Sequence, residues 1–172
     1  MTAAEIILGL VTAQRGAELI LSRHHTTRLL ARGAVEIAPA HYPLMVAVHA
    51  GWLISLWAFG HDQPVDTSAL AVYLALQALR IWVMAALAER WTTRIIVLPD
   101  APLVVRGPYR YLRHPNYAVV AGEIAVLPLM LHLAWIAAVF TALNAIVLAI
   151  RIRAEDRALH VSRGLSPQDT PS

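Results

Sequence analysis

The sequence predicts an all-α integral membrane protein of about five transmembrane helices, the last two a helical hairpin, with a short amphipathic C-terminal helix. Three observations predict it. Apolar residues make up 58% of the chain and charged residues only 15%, against about 45–50% and about 25% in soluble domains. The apolar residues gather in stretches long enough to cross a bilayer. Outside those stretches, which hold Arg15 and Arg80, the arginines gather in clusters that alternate from one connection to the next. The 172 residues suit one domain: three N-terminal spans over 1–88, a part carrying polar motifs over 89–160, and a disordered tail over 161–172.

The first span is read over residues 3–21, which as a helix cover about 28 Å, near the ~30 Å hydrocarbon core. It carries Glu5, Arg15 and Glu18 and lacks a basic leader, so it reads as a retained span rather than a signal peptide. Arg15 and Glu18 are i,i+3 partners, either a neutralising pair near one membrane surface or groups facing the bundle interior. Residues 22–41 read as a polar, basic connection in which Leu29, Leu30 and Val35 suit a short interfacial helix, broken by Gly33 and Pro39.

The second span, 42–59, contains His49, a packing residue or a site residue. The turn GHDQPVDT over 60–67 has no arginine. The third span, 68–88, holds Arg80 near its middle, where a cation needs an acid or a polar cavity. The connection 89–115 is the longest, with five arginines and four prolines; Ile95 to Leu98 reads as too short and isolated for a sheet. Residues 116–150 are too long for one crossing, since a single helix would exceed about 50 Å. They read as two antiparallel spans reversing near His132. RIRAEDRALH then reads as the amphipathic helix.

With the basic connections at 22–41, 89–115 and the C-terminal segment on one side, the positive-inside rule places the N-terminus outside and the C-terminus in the cytoplasm. All 14 basic residues are arginine. The net charge of +3 is small and interrupted by apolar spans, so nucleic acid is not an expected partner; the clusters suit loops facing anionic membrane lipid. The absence of cysteine excludes disulfides, thiolate metal sites and cysteine nucleophiles, and no metal site is expected.

Two polar motifs fall on the predicted cytoplasmic side. In RGPYRYLRHPNY, Arg106 to Tyr117, Gly107-Pro108 signals a turn. Pro115 suits the first turn of a helix and forces His114 out of the α region. His114 therefore sits at a helix entrance, beside unpaired N–H groups and the positive end of the dipole. With Arg106, Arg110 and Arg113 this suits an anion, while Tyr109, Tyr111 and Tyr117 offer faces and hydroxyls. In the second motif Arg151 and Glu155 share a helix face and Asp156 points elsewhere. Its two acids suit an ammonium, a ribose or a sulfonium, or simply a solvated helix end.

These residues resemble the isoprenylcysteine carboxyl methyltransferase family of integral membrane methyltransferases. The family's Arg-His-Pro-x-Tyr segment is Arg113 to Tyr117 here. Its Arg-x-x-x-Glu-Glu-x-x-Leu segment is Arg151 to Leu159, with Asp156 as the second acid. The likeness is strongest over 89–160. RLLARGAVEIAPAHYPLMVAVH, WTTRIIVLP and HPNYAVVAGEIAVLPL are further similar to a bacterial subgroup associated with type III polyketide synthases.

The resemblance implies S-adenosylmethionine as cofactor, S-adenosylhomocysteine as product, and a bacterial inner-membrane location. It makes 89–160 the cofactor-binding catalytic part. Arg110, Arg113, His114, Pro115, Tyr117, Arg151, Glu155 and Asp156 form the implied cofactor set. His114 and Tyr117 contact the cofactor, Arg113 or Arg110 lies near its carboxylate, and Glu155 with Asp156 holds its amino group or ribose. The implied substrate is a lipophilic small molecule, an alkylresorcinol, alkylpyrone or quinol, with a functional link to a type III polyketide synthase. A phenol, unlike a carboxylate, gains from a base or a nearby cation. Glu123 is the first candidate base, then His49 and His41; Arg80 or Arg113 would stabilise a phenolate. Arg-His-Pro-x-Tyr also occurs in membrane sterol reductases that bind NADPH. Carboxyl methylation of a prenylcysteine-like substrate, an NADPH-dependent lipid reductase and a membrane scaffold are the alternatives.

Overall fold

A computed structural model describes the backbone of residues 1–99, 101–102 and 104–162, with side chains to Arg157. Five helices account for most of it: α1 Ala3–Ala31, α2 Tyr42–Gly60, α3 Thr67–Leu87, α4 Pro115–Met130 and α5 Ala134–Ser162. Strand β1, Val35–Glu36, pairs antiparallel with β2, Ile96–Val97.

The helices start and stop for local reasons. Thr2 and Glu5 form a reciprocal capping box at α1. Asp66 caps α3 by accepting the Ala69 N–H at 2.8 Å. Pro115 opens α4 as its first residue, and His114 before it is non-helical at φ −129°, ψ 61°, out of the α region that a following proline disfavours. Between α4 and α5 the chain reverses at His132, whose φ is 55°. The carbonyl of Pro128 accepts from both Leu131 and Leu133 N–H there, closing the turn without glycine.

α2, α3 and α5 are each long and apolar enough to cross a membrane; α4 is apolar but only 16 residues long. Ile54, Leu74, Ile81 and Ile146 are exposed on these helices, as side chains facing lipid are. The fold is that of an integral membrane protein. α4 packs between α3 and α5, and α2 lies against α1 and α5. An apolar core of Leu8, Trp52, Leu56, Ile124, Leu127 and Ile136 fills one end of the bundle, where Thr2 bonds the His61 carbonyl and Asp66 N–H bonds that of Met130. At the other end His25 reaches Trp91, Ser22 meets Thr93, and Arg151 bonds the Thr93 carbonyl. The arginine-bearing connections converge on that second end.

Three expectations are corrected. The connection 22–41 is not a loop with a separate interfacial helix, because α1 runs unbroken to Ala31. Nothing in SRHHTTRLLA breaks a helix before Gly33, which takes φ 85°, and the resulting helix of about 43 Å overruns a bilayer core. Ile96 and Val97 do form a strand; their partner lies some sixty residues earlier, beyond any local signal. The amphipathic C-terminal helix is not a separate element, since α5 continues from the last span through Arg151–Arg157. Its last turn also includes Val161 and Ser162, which were expected in the tail. The tail from residue 163 and the Leu159 side chain lie outside the described residues.

Candidate functional site

A cavity of about 370 Å³ opens at the arginine-rich end, within the usual ~300–1,000 Å³ of ligand sites. Its walls come from the end of α1 at Leu29, the segments on either side of β2, the turn before α4, the first turn of α4 and the end of α5. Its lining includes apolar residues, Leu29, Leu87, Ile95, Val97 and Val104, and polar or aromatic ones, Tyr109, Arg113, His114, Tyr117, Arg151, Glu155 and Asp156.

The two motifs meet there. The Tyr117 hydroxyl donates to Glu155 Oε2 at 2.7 Å, joining α4 to α5 across the hairpin. The His114 and Tyr117 rings stack, centroids 5.5 Å apart. His114 Nδ1 lies 3.8 Å from Glu155 Oε2, and its Nε2 lies 3.5 Å from Asp156 Oδ1. Asp156 therefore does not point away, as neighbouring helix positions suggested: the cavity wraps widely enough around α5 to take in both acids. Arg151 Nη2 donates to the Thr93 carbonyl at 2.8 Å, and its guanidinium lies 5.8 Å from the Tyr117 ring centroid. Its buried Nε has no hydrogen-bond partner among the described residues. Burial, and then the Glu155 charge, push the Tyr109 phenol well above its ordinary value, so it is a hydrogen-bond donor at neutral pH.

This wall matches a ligand with a positive centre, a carboxylate and a flat ring. Two carboxylates face the cavity, Arg151 offers an unused donor, and aromatic faces lie beside both. The residues present thus fit S-adenosylmethionine: Glu155 and Asp156 for its cationic groups or ribose, arginine for its carboxylate, and Tyr109, Tyr117 and His114 for its base.

Not every candidate falls there. Pro115 is buried at the start of α4 and positions His114 without lining the cavity. Arg113 lines the cavity but is 84% exposed and approaches Asp156 only to 3.8 Å. Arg110 is exposed and off the wall; Arg106 turns back to donate to the Ala86 carbonyl; Tyr111 is exposed.

Glu123, Arg80 and His49 are likewise not on the cavity wall. Glu123 Oε2 accepts from Arg80 Nη1 at 2.7 Å and Arg15 Nη2 at 2.8 Å, and its Oε1 accepts from Gln77 at 2.7 Å. Glu18 accepts from Arg80, Arg15 and Gln14. Both carboxylates are thus held inside a buried ion-pair quartet that joins α1, α3 and α4. His49 Nδ1 donates to the Met45 carbonyl at 2.9 Å, and His41 sits in the 3₁₀ turn before α2. The motifs did not single out Arg90 and Arg94, which line the cavity. Arg94 pairs with Glu36 at 2.7 Å and stacks 4.2 Å from the Tyr42 ring centroid. A partner 58 positions away leaves no local signal.

Gly107 sets the turn that presents this wall. Its φ is +60°, and a Cβ there would lie 3.1 Å from Trp82 Nε1 and 3.1 Å from Ala86 Cβ. Gly107→Ala is therefore expected to cost about 1–2 kcal/mol for the left-handed conformation, plus the contact with Ala86. The thermal midpoint of detergent-purified protein should fall by several degrees; an unchanged midpoint would show that the turn relaxes freely.

Residues 69–161 match the model of the isoprenylcysteine carboxyl methyltransferase (ICMT) family. Uncharacterized protein YpbQ of Bacillus subtilis is 36% identical over 159 residues, 90% of this chain and 95% of that protein. An uncharacterized protein of Haemophilus influenzae is 26% identical over 160 residues, 90% of this chain and 93% of its own length. No solved structure matches.

Proposed function

The chain belongs to the isoprenylcysteine carboxyl methyltransferase family, and from that premise we propose that it methylates an oxygen of a membrane-dissolved lipidic phenol or enol of alkylresorcinol, alkylpyrone or quinol type. The proposal includes a bacterial inner-membrane location with the C-terminus and the cavity cytoplasmic, and a functional link to a type III polyketide synthase. Bound in the cavity, S-adenosylmethionine would supply a methyl group whose bond to sulfur breaks as the ionised acceptor oxygen bonds the methyl carbon, with S-adenosylhomocysteine as the leaving group. Glu155, supported by Asp156, holds its cationic end or ribose; Arg151 takes its carboxylate; His114 and Tyr117 present flat faces. The apolar lining residues from Leu29 to Val104 receive the acceptor.

The observation that carries this reading is the Tyr117–Glu155 hydrogen bond, which brings the family's two motifs onto one cavity that apolar residues also line. Glu123 and Arg80 then act as positioning residues from within the bundle, because a general base must reach the proton it removes and Glu123 is occupied by three donors. Arg90, Arg94 and Arg113 are the cations at the cavity that favour an ionised acceptor, since an opposite charge within about 4–6 Å lowers a pKa by about 1–3 units.

Thermal unfolding of detergent-purified protein tests the cofactor. S-adenosylhomocysteine at a hundredfold excess over its dissociation constant is expected to add about 2.7 kcal/mol, several degrees for a chain of this size, while NADPH adds nothing. Stabilisation by NADPH alone would replace methyl transfer with reduction, and no response to either would favour a scaffold.

A further inference from the structure

Beside the cavity, and sharing part of its wall, lies an open cleft of about 430 Å³. Arg32, Arg90 and Arg106 converge on it with Glu89, Leu87 and Val105. We propose that this cleft binds the phosphate head group of an anionic membrane lipid, and that the lipid stiffens a wall shared with the methyl-transfer cavity.

Charge is the first reason. Among the described residues three guanidiniums and one carboxylate line the cleft; Arg90 donates Nη1 to the Pro102 carbonyl, and Glu89 serves both Arg28 and Arg32, each at 3.5 Å. Among the described residues Arg106 donates only its Nε, to the Ala86 carbonyl, which leaves the terminal amino groups of a planar fork suited to phosphate oxygens. An arginine at a helix C-terminus also answers the negative end of the dipole. That accounts for Arg32, the C-cap of α1. Arg106 likewise answers the end of α3, through Nε on the Ala86 carbonyl, and its terminal amino groups are what it adds to the cleft.

Position is the second reason. The cleft lies where α1 and the membrane-length helix α3 end, at Ala31 and Leu87. Below it on α3, Ile81 and Trp82 are exposed, and Val105 at its rim is 73% exposed. A diacyl lipid covers this apolar surface and a free phosphate does not, so the lipid is the favoured source of the anion. The coupling follows from shared residues: Leu87, Arg90, Pro102, Val104 and Val105 line both the cleft and the cavity.

The test uses full-length protein in phosphatidylcholine nanodiscs with and without phosphatidylglycerol, with the lipid retained after release measured by native mass spectrometry. Wild type is expected to keep phosphatidylglycerol in preference to phosphatidylcholine. Arg32→Gln with Arg106→Gln should weaken that retention roughly thirtyfold, from two surface arginines, with the thermal midpoint near wild type as a check on folding. Arg28→Gln, which touches Glu89 but not the cleft, should retain the lipid. Equal retention of the two lipids, or full retention by the double variant, overturns the site. Displacement by inorganic phosphate makes it a soluble-anion site and overturns the lipid assignment. S-adenosylhomocysteine should bind more tightly in the phosphatidylglycerol discs; an affinity independent of lipid overturns the coupling.

Discussion

Arg80→Leu is expected to lower the thermal midpoint of the detergent-purified protein by roughly 6–20 °C, the largest loss of any single substitution considered. Arg80 is buried, and it bonds Glu18 through Nε and Nη2, each at 2.5 Å, and Glu123 through Nη1 at 2.7 Å. The side chain of Glu123 is 2% exposed and that of Glu18 8%. Two guanidiniums balance two carboxylates, so the quartet is neutral as a whole. Removing Arg80 leaves one cation, Arg15, between two buried anions. Stranding a buried charge costs about 3–5 kcal/mol, and about 1 kcal/mol moves the midpoint of a domain this size by about 2–4 °C.

The same reasoning predicts rescue. Arg80→Leu combined with Glu18→Leu leaves one pair, Arg15 with Glu123, and should recover most of the lost stability, because the stranded charge rather than the missing contact dominates. A single variant as stable as wild type would show that water reaches the quartet. Glu123→Gln separates structure from chemistry: a positioning role lowers the midpoint, and a base role abolishes turnover with midpoint and S-adenosylhomocysteine binding intact.

The quartet also marks where the sequence was readable. A mid-span Arg80 and a lone Glu123 each demanded a partner, because hydrocarbon offers none, and the two do meet. Arg15 and Glu18 read as a local i,i+3 pair because only local spacing is visible along the chain; their bonds to Glu123 and Arg80 depend on how three helices rotate against one another. Three of the spans, α2, α3 and α5, were legible through hydropathy, and the reversal near His132 through length alone, although no glycine or proline marks it. The β1–β2 pair and the Arg94–Glu36 bridge were not legible, since each joins segments about sixty residues apart. The candidate site was legible where local chemistry determines it. Pro115 dictates the backbone at His114, and the four-residue spacing puts Arg151 and Glu155 on one face. The reach of Asp156 into the cavity depends on the cavity's width, which no spacing encodes.

The second large effect is expected at Glu155, and its sign carries the information. Glu155→Gln keeps an oxygen that can accept from Tyr117 but removes the negative charge. If the carboxylate holds a cationic group or ribose of S-adenosylmethionine, losing a charged hydrogen bond worth about 1.5–3 kcal/mol should weaken S-adenosylhomocysteine binding about tenfold to a hundredfold by titration calorimetry. Tyr117→Phe keeps the charge and removes only the 2.7 Å bond that orients it, so roughly fivefold is expected from about 1 kcal/mol. Asp156→Asn should have the smallest effect, because Asp156 is shared at 3.5–3.8 Å between His114 and Arg113. A polyanionic dinucleotide responds in the opposite direction: with arginines all around, two carboxylates repel its phosphates, and neutralising them raises its affinity. Weaker S-adenosylhomocysteine binding in Glu155→Gln thus supports methyl transfer. Tighter NADPH binding with no loss of S-adenosylhomocysteine affinity would mean that the acids exclude a nucleotide without recognising a sulfonium cofactor.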